Sequence, residues 1–243
     1  MLDTTLSRGR IPNTTIGEAS FAFGSGVIAS GSYSHAENGG TTASGNYSHA
    51  EGGGTTASGA QAHAEGGGTT ASGTNSHAEG TSTVANKDNA HAEGAVTTAS
   101  GAASHAEGAY TTASGVNSHA EGVQTTANGN YSHAEGANTT ASGTASHAEG
   151  DNTIANRNLQ HVFGKNNVSE STPANSDGTG LYVEIVGNGS GPNSLLRSNA
   201  RTLDWSGNEW LAGNITIAGN SITIGSTTIT ESQLQALLAL ITT

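Results

Sequence analysis

All ten histidines of the chain lie 14 residues apart, and no histidine occurs elsewhere. Nine of them are followed by Ala-Glu, within a segment that repeats as Ser-His-Ala-Glu-Gly, two variable residues, and then Thr-Thr-Ala-Ser-Gly. A period this strict predicts one structural unit copied in series. Continued in both directions, the same register reaches Phe21-Ala22-Phe23-Gly24 and His161-Val162-Phe163-Gly164, which predicts eleven coils between residues 21 and 164.

The composition is compatible with such an array. Only 33% of the 243 residues are hydrophobic and 36 are glycine, a balance that also occurs in disordered chains. A disordered segment has no reason to keep a 14-residue phase, whereas a repeat unit buries its faces against its neighbours and needs little apolar bulk. We therefore expect an elongated, ordered repeat domain.

The length of the repeat indicates its secondary structure. Fourteen residues are too few for a helical hairpin, but they accommodate two strands of four or five residues with two tight turns. Glycines at the turns provide left-handed backbone without steric cost. The sequence thus predicts an all-β, parallel β-solenoid, in which eleven coils at about 4.8 Å each would form a rod of roughly 50 Å.

Strand alternation predicts which side chains face outward. In Ser48-His49-Ala50-Glu51 the alanine faces one side while His49 and Glu51 face the other, and Thr55 and Ala57 share a face. Only small residues fit inside so narrow a coil, so histidine and glutamate must project outward. These outward residues are called the His/Glu ladder below: His35, Glu37, His49, Glu51, His63, Glu65, His77, Glu79, His91, Glu93, His105, Glu107, His119, Glu121, His133, Glu135, His147, Glu149 and His161.

The ends of the ladder favour a buried seam between chains over a solvent-exposed face. Phe21, Phe23 and Phe163 occupy the outward slots of the end coils, where we expect them to cap the seam. Nine stacked glutamates would repel one another unless something compensates them, and histidines of a neighbouring chain in a homotrimer would do so. The alternative is an exposed polar ladder with exposed Phe ends. In the seam we expect glutamate to raise the histidine pKa and histidine to depress the glutamate pKa.

The repeat resembles the YadA-like head repeat of trimeric autotransporter adhesins. The resemblance covers about 144 residues, and it places histidine and glutamate in two slots where the family usually carries aliphatic residues. It implies a left-handed parallel β-roll, a homotrimer, and a ladder that faces the threefold axis. The positions around His49 that carry the resemblance are Asn46, Ser48, Ala50, Gly52, Thr55, Ala57 and Gly59.

The segments outside the repeats differ in composition. We expect residues 1–20 to be a lead-in or attachment segment, 21–164 the repeat domain, and 165–180 a linker. Residues 181–229 carry alternating apolar residues and predict a β-rich region. Residues 230–243 open on the capping-box pattern Thr230-Glu231-Ser232-Gln233 and predict a short amphipathic helix.

The C-terminal sixty or so residues resemble the ends of phage and prophage tail-fibre proteins. The first residues lack the basic start and apolar run of a signal peptide, and no apolar run is long enough to span a membrane. On these grounds the first hypothesis is a trimeric tail-fibre or tail-spike component of a virion, with a host-binding tip. The alternative is the head of a trimeric bacterial adhesin at the cell surface, which would be favoured if the signal peptide and anchor lay outside this sequence.

Other function classes are disfavoured. A formal charge of −12 with only seven Lys and Arg argues against nucleic acid as a partner, and the chain has no cysteine. The sequence lacks the His-Glu-x-x-His and Pro-Cys-x-x-Cys patterns of zinc hydrolases and deaminases, so we assign no catalytic residues, no cofactor and no enzyme activity.

Two ligand hypotheses remain, a metal ion and ice. Three histidines around one axis can hold a metal, although axial anions or water suit a tenfold repeated site better, so we assign no metal ligand. An ice-binding face is disfavoured because neighbouring threonines of the Thr-Thr pairs point to opposite sides. Tyr33, Tyr47, Tyr110 and Tyr131 lie at variable turn positions, where they are either ordinary surface residues or contacts to a host glycan or protein receptor.

Overall fold

The computed structural model describes residues 6–10, 15–171, 174–190, 197–212, 221–224, 227–230, 232–233 and 235–236. The chain divides into two compact units, Met1–Trp210 and Leu211–Thr243. The first contains the repeats, and the second contains a short antiparallel pair of strands.

The predicted all-β parallel solenoid is confirmed. Each turn has one long and one short strand, and the long strand β2, Phe21–Ala29, contributes to both sheets. The structure has ten complete turns, and an eleventh turn begins but contains only its long strand. The further long strands are β3 His35–Gly39, β5 His49–Gly53, β7 His63–Gly67, β9 His77–Thr81, β11 His91–Ala95, β13 His105–Ala109, β15 His119–Val123, β17 His133–Ala137, β19 His147–Asp151 and β21 His161–Lys165. The short strands are β4 Thr42–Ala43, β6 Thr56–Ala57, β8 Thr70–Ala71, β10 Val84–Ala85, β12 Thr98–Ala99, β14 Thr112–Ala113, β16 Thr126–Ala127, β18 Thr140–Ala141 and β20 Ile154–Ala155.

Successive coils stack in register, so that each residue lies beside its equivalent 14 positions later. His91 pairs with His105 and Glu93 with Glu107 in the long-strand sheet. The His91 amide donates to the Ser104 carbonyl at 2.9 Å, and the same bond recurs from coil to coil. The sequence period therefore becomes a set of straight side-chain rows along the solenoid.

The interior is lined by small side chains, as the alternation predicts. Ala50, Thr55 and Ala57 are fully buried, and Ser48 is 1% exposed. The Ser48 hydroxyl donates to the Gly45 carbonyl at 2.7 Å, which satisfies one polar group in the narrow core. The next coil leaves no room for a side chain at Gly45, because an added Cβ would lie 1.9 Å from the carbonyl oxygen of Gly59.

Left-handed backbone at the turns is not confined to glycine. Tyr47 has φ of 61° and Val96 has φ of 58°, and each shares this conformation with the equivalent residue of other coils. A β-branched residue in this region is uncommon. The Val96 amide donates to the Thr81 carbonyl at 2.8 Å, so stacking between coils holds the turn in this conformation.

The N-terminal edge is covered by a strand that the sequence pattern does not indicate. Strand β1, Leu6–Arg10, pairs in parallel with β2, with Leu6 beside Phe21 and Arg8 beside Phe23. Its sequence, Leu-Ser-Arg-Gly-Arg, shares no residue pattern with the coils, which is why the repeat register misses it. Part of the predicted lead-in segment thus extends the long-strand sheet by one strand.

The C-terminal edge is closed by a change of strand direction. Strand β22, Tyr182–Asn188, adds in parallel to β21, and β23, Asn199–Asp204, then pairs antiparallel to β22. A turn closed by the Asp204 amide and the Asn208 carbonyl leads to β24, Glu209–Leu211. The first strand of the predicted β-rich region is therefore β22, and the antiparallel strand β23 interrupts the parallel stacking.

The short-strand sheet ends on side chains instead of a strand. The side-chain Oδ1 of Asn167 accepts a hydrogen bond from Ile154 N at 2.8 Å, and its Nδ2 donates to Ile154 O at 3.1 Å. A further strand would make the same two bonds. The Gln160 side chain accepts from Asn156 N at 3.0 Å. Asn167 is fully buried and Glu170 is 7% exposed, so this part of the predicted linker packs against the last coil.

The second unit contains an antiparallel pair, β25 Ser221–Ile224 and β26 Thr227–Thr230. The predicted capping box is formed: Thr230 N donates to Gln233 Oε1 at 2.9 Å, and Gln233 N donates to Thr230 Oγ1 at 3.4 Å. Ser232, Gln233, Gln235 and Ala236 have helical backbone, and the other residues of the predicted helix lie outside the described residues. Within the described part of the chain, no helix combines the length and hydrophobicity needed to cross a membrane.

Candidate functional site: the His/Glu ladder

The histidines of the ladder form one continuous stack of rings. Successive imidazoles from His35 to His161 have centroids 4.6 to 4.9 Å apart and are nearly parallel, within 2 to 19°. The side chains in the His–Glu ion pairs are 31 to 40% exposed in the single chain. The ladder is therefore an ordered but accessible surface row, as outward alternation predicts.

Each glutamate lies beside the ring of a histidine, and the choice of partner changes along the ladder. His91 Nε2 is 3.7 Å from Glu93, two residues along its own strand, and the four preceding histidines pair in the same way. His119 Nε2 is closer to Glu107 of the preceding coil, at 3.2 Å, than to Glu121 of its own strand, at 4.0 Å, and the later histidines also pair with the preceding coil. His105 lies where the two pairing directions meet.

Aromatic residues flank the stack at both ends. Phe21 meets His35 edge-on with ring centroids 4.8 Å apart, and Phe23 lies 6.4 Å from Phe21. Phe163 lies 5.1 Å from His161 at the other end. Phe23 is 48% exposed in the single chain, so these predicted caps leave apolar surface at the ends of a polar row.

In the single chain the pKa of three histidines of the ladder is lowered, opposite to the direction expected in the seam of a trimer. Burial lowers the pKa of His49, His105 and His133, and the neighbouring histidines lower it further, against the attraction of nearby glutamates. Desolvation and histidine–histidine repulsion outweigh the ion pairs because the rings stack on each other. These imidazoles are biased toward the neutral form.

The pKa of Glu107 in the single chain is raised, which is also opposite to the direction expected in the seam. A hydrogen bond with the Glu93 carboxyl group raises the pKa of Glu107, and burial and a second carboxyl contact with Glu121 act in the same direction. The His119 ring opposes this rise but is weaker. Stacked carboxylates thus favour retaining a proton near the middle of the ladder.

The ladder brings metal-ligating atoms together within a single chain. His35, Glu37 and His49 offer ligand atoms that all lie within 4.8 Å of one another, and the same arrangement recurs along the ladder, for instance at His105, Glu107 and His119. Two imidazole nitrogens and one carboxylate oxygen are typical ligands of zinc and related ions.

The tyrosines lie on the turns, away from the ladder positions. Tyr33 and Tyr47 stack with ring centroids 5.1 Å apart and an angle of 4°. Tyr47, Tyr110 and Tyr131 are 61 to 64% exposed. Their phenol groups are available at the surface, which is the condition for the receptor contact that the sequence left open.

Sequence reasoning missed two features of the ladder. The periodicity gives identical neighbours to every histidine, so it contains no signal for the reversal of pairing at His105. The second feature is the shielding of the ring nitrogens: eight Nε2 atoms are buried without a hydrogen-bond partner among the described residues. The tight 14-residue stacking could have indicated this shielding, because each ring covers the next.

Comparison with known protein families identifies the repeat. Residues 50–76, 64–86, 106–132 and 134–156 match the YadA head domain repeat (2 copies), over less than half of the chain. No curated protein sequence matches the chain significantly. The comparisons thus do not support the predicted phage tail-fibre-like C-terminal region, and they favour the adhesin alternative. These parts of the solenoid are therefore similar to the YadA head domain repeat.

Proposed function

We propose that the chain forms a homotrimeric, fibrous adhesin head at the surface of a bacterial cell. The match to the YadA head domain repeat carries this proposal, since that repeat belongs to trimeric adhesin-type assemblies. The role is structural and adhesive, and no residue is assigned to catalysis. A rigid stack of coils holds receptor-binding residues away from the membrane.

The His/Glu ladder is the proposed seam between protomers. Its side chains are partly exposed in the single chain and run the length of the solenoid, with Phe21 and Phe23 at one end and Phe163 at the other. Association would cover the Phe rings and place histidines of one protomer beside glutamates of the next. Such a polar seam fixes register, because a shift by one coil leaves charged groups unpaired at both ends.

The exposed tyrosines of the turns are the proposed contacts to a host surface. Tyr47, Tyr110 and Tyr131 expose an aromatic face and a hydroxyl group, a combination suited to a glycan or a protein receptor. They lie on turns, so binding there would leave the ladder free for assembly.

Sedimentation equilibrium tests the assembly. A species of three times the 24.0 kDa chain mass supports the trimer, and a monomer at micromolar concentration contradicts it. Antibody labelling of the source bacterium then tests the location. Labelling of intact cells supports the adhesin, whereas labelling confined to particles released by prophage induction would support a tail fibre instead.

A further inference from the structure

The nitrogens of the ladder are shielded from solvent yet lack hydrogen-bond partners. This holds for the Nε2 atoms of eight of the ten histidines, within the described residues. Each lies near carboxylate oxygens, as His77 does at 3.5 Å from Glu79, a distance too long for a good hydrogen bond. In the neutral tautomer with its proton on Nδ1, a shielded Nε2 beside a carboxylate offers its lone pair to a metal ion.

The charge of the ladder points to the same ligand. Nine glutamates stand in register along the stack, and adjacent carboxylates at this spacing repel one another. These carboxylates share one face of the solenoid, and a trimer would gather three such rows. Divalent cations bound between the rings would neutralise two carboxylates each and relieve the repulsion.

We propose that the His/Glu ladder binds divalent transition metal ions of the Zn²⁺ class, each held by two histidines of successive coils and the glutamate between them. His119, Glu121 and His133 form one such set, with ligand atoms within 4.8 Å of one another. All three ligands belong to one chain, so the inference does not depend on the proposed trimer.

Binding requires a defined movement of the rings. Zn–N and Zn–O bonds of about 2.0–2.2 Å place ligand atoms roughly 3.3 Å apart, closer than the present 4.8 Å limit. Parallel rings also direct their lone pairs into parallel planes, so one ring of each pair must turn about its Cβ–Cγ bond. The side chains are more than a third exposed, for example 35% at His119, which leaves room for that turn.

The periodicity sets the number of ions. Each ion uses two neighbouring histidines, so ten histidines hold at most five ions per chain. Removing the terminal pair, His35 and His161, leaves eight consecutive histidines and four sites. Removing the sixth and seventh histidines, His105 and His119, leaves runs of five and three histidines, which hold two sites and one site. The same number of substitutions thus gives four ions in one case and three in the other.

Zinc binding by untagged, EDTA-treated and dialysed protein tests the proposal, with stoichiometry from calorimetry and elemental analysis. We expect five Zn²⁺ per chain in the wild type, four in H35Q/H161Q and three in H105Q/H119Q. T98S/T112S on the opposite sheet is the matched control and should keep five. Equal numbers in the two histidine variants would overturn paired binding, because each histidine would then act alone.

Two further outcomes bear on the proposal. Tight binding of Mg²⁺ in place of Zn²⁺ would overturn it, since magnesium needs only the carboxylates. Failure of the wild type to bind zinc would overturn it as well. Oligomeric mass measured in the same samples separates the proposals: a zinc-binding monomer contradicts the trimer alone, and a trimer without zinc contradicts the metal site alone.

Discussion

The imidazole of His119 lies 3.2 Å from the carboxylate of Glu107 in the preceding coil, across the spacing between two strands. His91 pairs instead with Glu93 of its own strand at 3.7 Å. The ladder thus has two pairing directions of similar geometry, and they meet at His105, whose buried Nε2 has no hydrogen-bond partner among the described residues. A periodic sequence allows both pairing directions. At the junction the pKa of His105 is lowered and the pKa of Glu107 is raised.

Stability should rise with pH in the range governed by the ladder histidines. The pKa values of His49, His105 and His133 lie below their ordinary 6.5 in the folded chain, so the unfolded chain binds more protons there. Their contribution is complete above pH 6.5 and is lost as the pH falls toward the lowered values. Denaturant midpoints at pH 5, 6, 7 and 8 measure this.

The raised pKa of Glu107 acts in the opposite sense. Its folded-state proton adds stability at low pH, and that contribution is lost as the pH rises above its ordinary 4.5. Because three histidines stabilise the fold as the pH rises and one glutamate acts against them, we expect the denaturant midpoint to rise from pH 5 to 7. H105Q should flatten the curve, whereas a wild-type midpoint that falls with pH would show that ion pairing outweighs burial.

Close spacing between coils favours glycine at one turn position, which Lys87 and Arg157 occupy in two coils and glycine occupies in the coil of Gly115. An added Cβ at Gly115 would lie 1.9 Å from the carbonyl oxygen of Gly129, and no flexible side chain can yield there. We expect Gly115→Ala to destabilise the chain by about 1–3 kcal/mol or more, as overpacking does. Thermal denaturation followed by circular dichroism gives the value.

Gly53→Ala is the matched control for Gly115→Ala. Nothing lies within 4 Å of an added Cβ at Gly53, and its φ is not positive. The substitution should be neutral or stabilise by about 0.4–1 kcal/mol through the unfolded state. Equal effects at Gly53 and Gly115 would contradict the close approach of neighbouring coils.

The sequence predicts the repeated part of the fold well, because strand alternation and a fixed period leave little freedom. Ala50 inside with His49 and Glu51 outside follows from the pleat alone. The ends are different, since β1 and the Asn167 cap occur once and carry no period. Pairing direction and pKa shifts depend on ångström-scale side-chain positions, which residue spacing does not specify. The trimer and its seam stay predictions.

Hydrogen exchange should show how strongly the Asn167 side chain protects the last short strand from local opening. Asn167→Ala leaves the N–H and C=O of Ile154 without the partners they have at 2.8 and 3.1 Å. The expected cost is about 1–3 kcal/mol for buried groups left unpaired. Hydrogen exchange at Ile154 should accelerate, while Ala99 in the middle of the same sheet keeps its protection.

Asn117→Ala is the control for the Asn167 cap. Asn117 is an exposed turn residue with φ of 54°, and Ala103 and Ala145 adopt the same conformation at equivalent positions. Exchange at Ile154 should not change in this variant. Unaltered exchange in Asn167→Ala as well would show that another group closes the short-strand sheet.

Replacing one polar layer by apolar residues tests whether the ladder is buried in the assembled protein. Buried ion pairs exchanged for apolar residues are often neutral or more stable by about 1–4 kcal/mol, because desolvation of charge is avoided. H105V/E107V should therefore keep the oligomeric mass and raise or preserve the urea midpoint. T98V/T112V is the control, since Val84 already occupies that outward row. A loss of oligomer in the ladder variant alone would mean that these polar side chains specify assembly. A monomeric wild type with an unchanged midpoint in both variants would place the ladder in solvent.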